Sequence, residues 1–346
     1  MGYIERYNRE HYRRVWIRRS TFNKLLELCD KPIVDCVDEI VEAVTLPTRM
    51  FEELRNYIIS KSNEAKHIRY AGGDWYIRDE LVRIAALVPI KRATFVEVFG
   101  GSGVLSQLVP RSKFPNVVYN DIDKDLVALH RLVKENPDLL ASILSMLPYS
   151  RYINRYLVEN VAGRELGGLV GASVLFYLLS SGFSGIVGAG FSTSKVAKSG
   201  SANRYISHVA ALYEAAKRFR DVVIECLDFE ELIEKYDSES TLFYMDPPYL
   251  SVREKDRDMY RHGFTPVDVA RLANALKRLK GYFMLKVHED NEAFYRSAPV
   301  IGRVVIAKKL AMSMAQGEER GELRYVVLTN YKLPPSLTGI SPGKTK

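Results

Sequence analysis

The apolar positions of this chain follow two rhythms. From residue 94 onward, short runs rich in β-branched and aromatic residues alternate with longer stretches in which apolar side chains recur every three or four positions. Strands are predicted at 94–98, 116–120, 222–227, 241–245, 282–287, 304–310 and 324–331, and helices at 78–88, 123–135, 172–180, 202–220 and 266–279. The strand runs are nearly continuous in apolar character, as expected of parallel strands buried on both faces. The last two runs are joined without a long helix, so they are expected to pair antiparallel. The predicted fold class is α/β, with a seven-stranded, mostly parallel, Rossmann-like sheet. Residues 1–60 do not fit this alternation. Val15 and Ile17 face one way and Arg14, Trp16 and Arg18 the other, a short basic amphipathic strand. Two short helices follow, with Phe22, Leu25 and Leu26 in the first and Val37, Ile40 and Val44 in the second, separated by Pro32. A further helix is expected over 48–60.

The chemistry gathers at strand ends. In Thr241-Leu242-Phe243-Tyr244-Met245-Asp246-Pro247-Pro248-Tyr249 an apolar strand stops at a carboxylate, because two prolines cannot continue a central strand. Open α/β sheets bind ligands beyond the carboxyl ends of their strands, so Asp246, the Pro247 carbonyl and the Tyr249 ring are delivered to one place. Phe99-Gly100-Gly101-Ser102-Gly103 is a glycine-rich turn between a strand and a helix, and Asn120-Asp121-Ile122-Asp123 ends the next strand about 20 residues on. This is a nucleoside-binding half-fold: the glycines admit the ligand and the acid accepts from ribose hydroxyls. Asp228-Phe229 places an acid beside a ring, a pair suited to an adenine. Arg69-Tyr70-Ala71-Gly72-Gly73-Asp74 is a second short glycine element. The pattern alone leaves a dinucleotide and S-adenosylmethionine both open; the F-x-G-x-G spacing leans toward the latter.

Charge adds a partner. The 346 residues carry a formal charge of +8 and a pI of about 9.2, which fits a nucleic-acid ligand. Between two strands, residues 137–205 bring Arg151, Tyr152, Arg155 and Tyr156, then a Gly/Ser-rich stretch interleaved with Lys195, Lys198 and Arg204. Basic residues alternating with aromatics suit a nucleic-acid surface. Cys29, Cys36 and Cys226 have neither disulfide-framework nor zinc spacing, so reduced thiols and a cytoplasmic protein are expected. No run reaches the roughly 20 apolar residues of a membrane span.

An exocyclic amino group on a base is a poor nucleophile, since its lone pair is delocalised into the ring. Two acceptors on its hydrogens favour the tetrahedral form as a bond develops, and Asp246 with the Pro247 carbonyl supplies two; Tyr249 offers a stacking face for a base out of its helix. Positioning then carries much of the rate, with no need of a metal. At these residues the sequence resembles the DNA adenine methylase family, the class-alpha amino-methyltransferases. The resemblance runs from about Arg69 to Tyr331. It implies a methyltransferase sheet carrying an inserted target-recognition region. Asp246-Pro247-Pro248-Tyr249 matches the catalytic motif. Tyr70, Gly72, Gly73, Phe99, Gly100, Gly101, Gly103, Asp121, Ile122, Asp228 and Phe229 match the cofactor-binding positions, with S-adenosyl-L-methionine as cofactor and no metal. Phe176 through Gly185 resembles the start of the recognition region, and Tyr325 to Tyr331 the final strand.

The implied domain plan has a catalytic domain over 61–136 and 206–333, a target-recognition region over 137–205, a disordered tail over 334–346 and an amino-terminal extension over 1–60. The extension resembles the ribbon-helix-helix DNA-binding family, which would make a homodimer; a helical extension packed on the main domain is the alternative. The implied function is methylation of the N6 amino group of adenine in double-stranded DNA at a specific site, with base flipping. A cognate restriction endonuclease is a conceivable partner, and a membrane is not. Asp74 and Arg69 depart from the pattern, standing where the family carries lysine. Three other readings stay open: cytosine N4 or RNA adenine as target, a DNA-binding regulator that has lost turnover, and a dinucleotide oxidoreductase.

Overall fold

The structure, a computed structural model, describes residues 67–70, 72–193, 200–250, 261–309 and 322–337. The expected amino-terminal extension over 1–60 lies outside the described residues. Seven strands form one sheet in the order β3-β2-β1-β4-β5-β7-β6: β1 Thr94–Glu97, β2 Asn116–Asn120, β3 Val222–Glu225, β4 Thr241–Met245, β5 Tyr282–His288, β6 Gly302–Lys309 and β7 Glu322–Thr329. The first five pair in parallel, and β7 runs antiparallel to both β5 and β6. The antiparallel final pair was legible in the sequence. The return of β7 between β5 and β6 was not, because short-range patterning carries no information about which edge a hairpin joins.

The continuous apolar runs are explained by two covered faces. Phe95, Tyr119, Leu242, Tyr244 and Met284 point to one side, where they pack on α1 (Arg78–Ala86), α3 (Lys124–Glu135), α6 (Gly168–Ser181) and α7 (Ser201–Phe219). Val96, Val118, Phe243, Met245 and Leu285 point to the other, against α8 (Phe229–Tyr236) and α9 (Pro266–Arg278). Successive residues of a strand alternate faces, so a strand with helices on both sides must be apolar throughout. Helix starts follow local chemistry. Asp123 caps α3 by accepting from the Asp125 and Leu126 amides, and Thr265 and Asp268 close a capping box on α9 with Pro266 in its first turn.

The segment over 137–205 is not a purely peripheral insertion. Within it α4 (Pro137–Met146) and α6 contribute Leu140, Leu144, Phe176 and Tyr177 to the main core, and among its described helices α5 (Arg151–Asn160) is the largely exposed one. Toward the carboxyl end, Pro335–Leu337 forms a single 3-10 turn, with Leu337 packed on the core.

Under the glycine turn after β1 lies a cluster of rings. His130 stacks on Phe219 at 4.9 Å and meets Tyr119 edge-on at 4.5 Å, with His67 5.4 Å away. Burial holds both histidines neutral: His130 is depressed to about 4 and His67 also falls well below its ordinary value. His130 Nε2 donates to the Gly101 carbonyl. A group depressed in the folded state binds its proton more readily when unfolded, so stability falls as pH drops from 6.5 toward 4. His130→Phe, which leaves the Tyr119 hydroxyl on the same carbonyl, should lose less thermal stability than the wild type between pH 7 and pH 5. The raised carboxyl of Glu97 works in the opposite direction, so the comparison with the variant isolates the histidine; an equal loss in both proteins would contradict this account.

Candidate active site

Strand β1 continues the sheet outward to one side and β4 to the other, and between their carboxyl ends opens a cavity of about 250 Å3. Its floor is the turn Phe99–Gly103. Gly100 is compelled there: a Cβ would lie 2.2 Å from the Tyr119 ring and 2.6 Å from the Asn120 carbonyl. Gly101 adopts φ +51°, and its amide donates to Asp121 Oδ2 at 2.9 Å, while the Asp123 amide donates to Oδ1 at 2.9 Å. Burial outweighs these two donors and pushes the Asp121 carboxyl up to about 6. Glu97 lies behind the turn. Its carboxylate accepts from the Leu105 and Ser106 amides at the start of α2 (Val104–Leu108), and burial pushes it up to about 8.

One wall of the cavity is aromatic. Phe99, Phe229 and Phe264 stand 5.6 to 6.0 Å apart by ring centroid. Asp228 caps α8 at the edge of this slot and pairs with Arg271, whose guanidinium lies 4.6 Å over the Phe229 ring. An acid beside ring faces matches the donor edge and π-face of an adenine, and Asp121 matches a pair of sugar hydroxyls. The residues present therefore fit a nucleoside-containing cofactor.

The opposite wall carries Asp246, the first residue beyond β4, with 17% of its side chain exposed. Tyr249 donates its hydroxyl to Oδ1 at 2.8 Å, and Lys286 donates Nζ to Oδ2 at 2.7 Å. Lys286 is fully buried, touches Asp74 on its other side and lies 4.8 Å from the Tyr325 ring. Asp74 in turn accepts from the Tyr244 hydroxyl at 2.5 Å. Burial opposes the charge on Lys286, but the two carboxylates outweigh it and hold its pKa above the ordinary lysine value. Burial raises the Asp246 carboxyl, Lys286 pulls it back, and Asp74 pushes it up again, for a net rise.

Twelve of the fifteen residues expected at the site from the sequence line this cavity: Tyr70, Gly72, Gly73, Phe99, Gly100, Gly101, Asp121, Ile122, Asp228, Phe229, Asp246 and Pro248. Gly103, Pro247 and Tyr249 do not. Gly103 takes φ +63° at the start of α2, where a Cβ would meet Phe219 at 2.6 Å. It shapes the turn from behind. Tyr249 packs near Tyr325 and His288 and reaches Asp246 through its hydroxyl. Sequence reasoning missed Glu97, Phe264, Arg261 and Lys286. Arg261 bridges Asp123 and Asp125 at the rim. A lone lysine inside the apolar run 282–287 was a usable signal for Lys286, because a charge in a two-face-buried strand demands a partner. The positive charge absent at position 74 is present beside it, on Lys286.

Away from the cavity, α5 exposes Tyr152 and Tyr156 beside Arg151 and Arg155, and the Arg151 guanidinium lies 5.1 Å from the Phe191 ring. Lys195 and Lys198 lie outside the described residues. No described helix is long and apolar enough to cross a membrane.

A doubly wound sheet with a cavity that fits a nucleoside and an Asp-Pro-Pro-Tyr edge is the arrangement expected of an amino-methyltransferase. Comparison with known proteins agrees: a model of the D12 class N6 adenine-specific DNA methyltransferases matches residues 70–301, and the chain belongs to that family. A type II methyltransferase of Lactococcus lactis subsp. cremoris, M1.LlaDCHI, is 25% identical over 291 residues, covering 79% of this chain and 97% of the relative. M.MjaIII of Methanocaldococcus jannaschii, also a type II methyltransferase, is 28% identical over 54% of this chain and 69% of its own length. A DNA adenine methylase of Haemophilus influenzae is 23% identical over 54% of this chain and 65% of its own. The protein is thus a DNA adenine methyltransferase, which requires a methyl donor and a DNA substrate.

Gly100→Ala should destabilise the protein by about 1–3 kcal/mol through overpacking against Tyr119 and the Asn120 backbone. Chemical denaturation would measure this, and an unchanged midpoint would contradict the close approach.

Proposed function

We propose that the methyl donor is S-adenosylmethionine and that the target is an adenine turned out of double-stranded DNA. Bound in the cavity, the cofactor supplies a methyl group already activated by sulfonium. Asp121 holds its ribose hydroxyls, Asp228 and Phe229 its adenine, and Tyr70, Gly72, Gly73 and Gly100 to Gly103 shape its seat. Asp246 accepts one hydrogen of the target amino group and the Pro247 carbonyl the other. The nitrogen lone pair is thereby freed from the ring. Tyr249 holds the Asp246 carboxylate and offers its ring to the extruded base. The observation that carries this reading is that Asp246 lines the same cavity as Gly101 and Asp121, so a target held by Asp246 faces whatever the glycine turn binds.

The region over 137–205 is assigned to target recognition, supported by the exposed Arg and Tyr side chains of α5. The type II designation of the Lactococcus relative makes a cognate restriction endonuclease the partner to look for. A homodimer through residues 1–60 is a separate proposal, tested by the mass of the full chain against a chain lacking them.

Two outcomes are expected. Asp246→Ala abolishes transfer of labelled methyl to DNA while S-adenosylmethionine binding, followed by calorimetry, changes little; N6-methyladenine is the only modified nucleoside the wild type makes. Full turnover by the variant, or N4-methylcytosine as product, would reject the assignment. DNA affinity should fall steeply with salt, and Arg151→Ala with Arg155→Ala should reduce the log–log slope by about 1–2. An unaltered slope removes α5 from the DNA surface.

A further inference from the structure

Lys286 is held in a setting that packing alone does not require. In the register of β4 and β5, Met245 lies opposite Leu285, so the next residues outward, Asp246 and Lys286, are neighbours at the strand ends. Lys286 is shut off from water, and its ammonium meets carboxylates on two sides, Asp246 and Asp74. Asp74 itself is buried and tied down by the Tyr244 hydroxyl. Two carboxylates around one ammonium leave an excess of one negative charge in a water-poor place. A buried triad of this kind is poor evidence for stability, since apolar replacements of similar volume are often neutral or better. Its location, with Asp74 and Asp246 lining the cavity and Lys286 between them, points to function.

We propose that Lys286 and Asp74 are positioning residues for methyl transfer, Lys286 holding Asp246 ionised and in a single orientation, and Asp74 keeping that carboxylate basic enough to take a proton. The inference rests on the assignment of Asp246 above. With Lys286 on Oδ2 and the Tyr249 hydroxyl on Oδ1, the carboxylate plane is held from both sides. Each oxygen retains a lone pair, so an amino hydrogen can still be accepted. In the reaction the N6 lone pair forms the new N–C bond as the C–S bond breaks, its electron pair going to sulfur. The nitrogen then carries one proton too many. Asp246 is the nearest base, takes that proton on a carboxylate oxygen, and passes it to water when product leaves. Without Lys286 the buried Asp246 would hold a proton beforehand and donate where it must accept. Without Asp74, Lys286 would serve Asp246 alone and quench its basicity.

The groups facing Asp246 give the expected direction. They are Lys286 on β5, Asp74 on the amino-terminal turn, Tyr244 on β4, Tyr249 on the following loop and Tyr325 on β7, and the charge of Asp74 also reaches Glu97 on β1. Lys286 opposes the protonation of Asp246 by charge and the Tyr249 hydroxyl opposes it by its hydrogen bond, while burial and the charge of Asp74 favour it. A charge at this range moves a carboxyl by about 1–3 pH units.

The test is the pH profile of the single-turnover methyl-transfer rate with saturating S-adenosylmethionine and DNA, with cofactor affinity measured by calorimetry in parallel. Lys286→Met should move the acidic limb upward by about 1–3 pH units and slow transfer at pH 7 at least about tenfold. Lys286→Arg should restore part of the rate. Asp74→Asn should move the limb downward, the opposite direction, and cofactor affinity should stay within about threefold in all three, a change smaller than one pH unit would produce. A purely structural role would lower rate, affinity and folded fraction together and leave the limb in place. If Lys286→Met does not fold, the direction given by Asp74→Asn decides. An unshifted limb in the folded variants overturns the proposal while leaving Asp246 in its role if Asp246→Ala is dead. Activity in Asp246→Ala would overturn the underlying assignment instead.

Discussion

One contact governs the working end of this molecule: a carboxylate on the cavity wall held by an ammonium that no water can reach. Asp246 stands at the exit of β4, where Pro247 and Pro248 turn the chain out of the sheet. Lys286 stands beside it because β4 and β5 run parallel in a fixed register. A free carboxylate in this position would gain a proton, since burial disfavours its charge. The lysine works against that, and the two strands keep the pair together without any flexible tether. The same sheet that supplies the core therefore sets the electrostatic surroundings of a carboxylate on the cavity wall.

The second constraint is steric. The turn after β1 runs so close to Tyr119 and the Asn120 carbonyl that Gly100 cannot carry a side chain. That closeness lets the Gly101 amide reach Asp121 and lets the Gly101 carbonyl take hydrogen bonds from Tyr119 and His130. The ring cluster of His67, Tyr119, His130 and Phe219 forms a rigid bed under the turn. Hydrogen bonds within the chain itself fix the backbone of this turn, which lowers the ordering cost of binding against it.

Much of this was legible in order along the chain. Apolar runs ending in Asp121, Asp228 and Asp246, and a glycine turn after the first of the strands, located most of the cavity lining because ligands gather at strand ends in this architecture. Three expected residues fell outside the lining for identifiable reasons. Gly103 is needed for its left-handed backbone at a helix start, Pro247 is buried just beyond the strand, and Tyr249 reaches the site through its hydroxyl. Four others escaped notice. Phe264 and Arg261 come from a loop before α9 whose path no periodicity describes, Glu97 looked like one more strand residue, and Lys286 was hidden in an apolar run.

Composition, periodicity and the spacing of short motifs determined the fold class, the order of the strands along the chain, the chemistry of the strand ends and the kind of ligand they suit. These are local properties, set by which side chains alternate and where glycine or proline interrupts them. Only the tertiary structure decided that β7 threads between β5 and β6, that α4 and α6 belong to the core, and that Lys286 lies between Asp74 and Asp246. Lys286 and Asp74 are separated by 212 residues. A charge pair of that span exists only once strand register and packing have been settled by the whole chain, since nothing in the neighbourhood of either residue names the other.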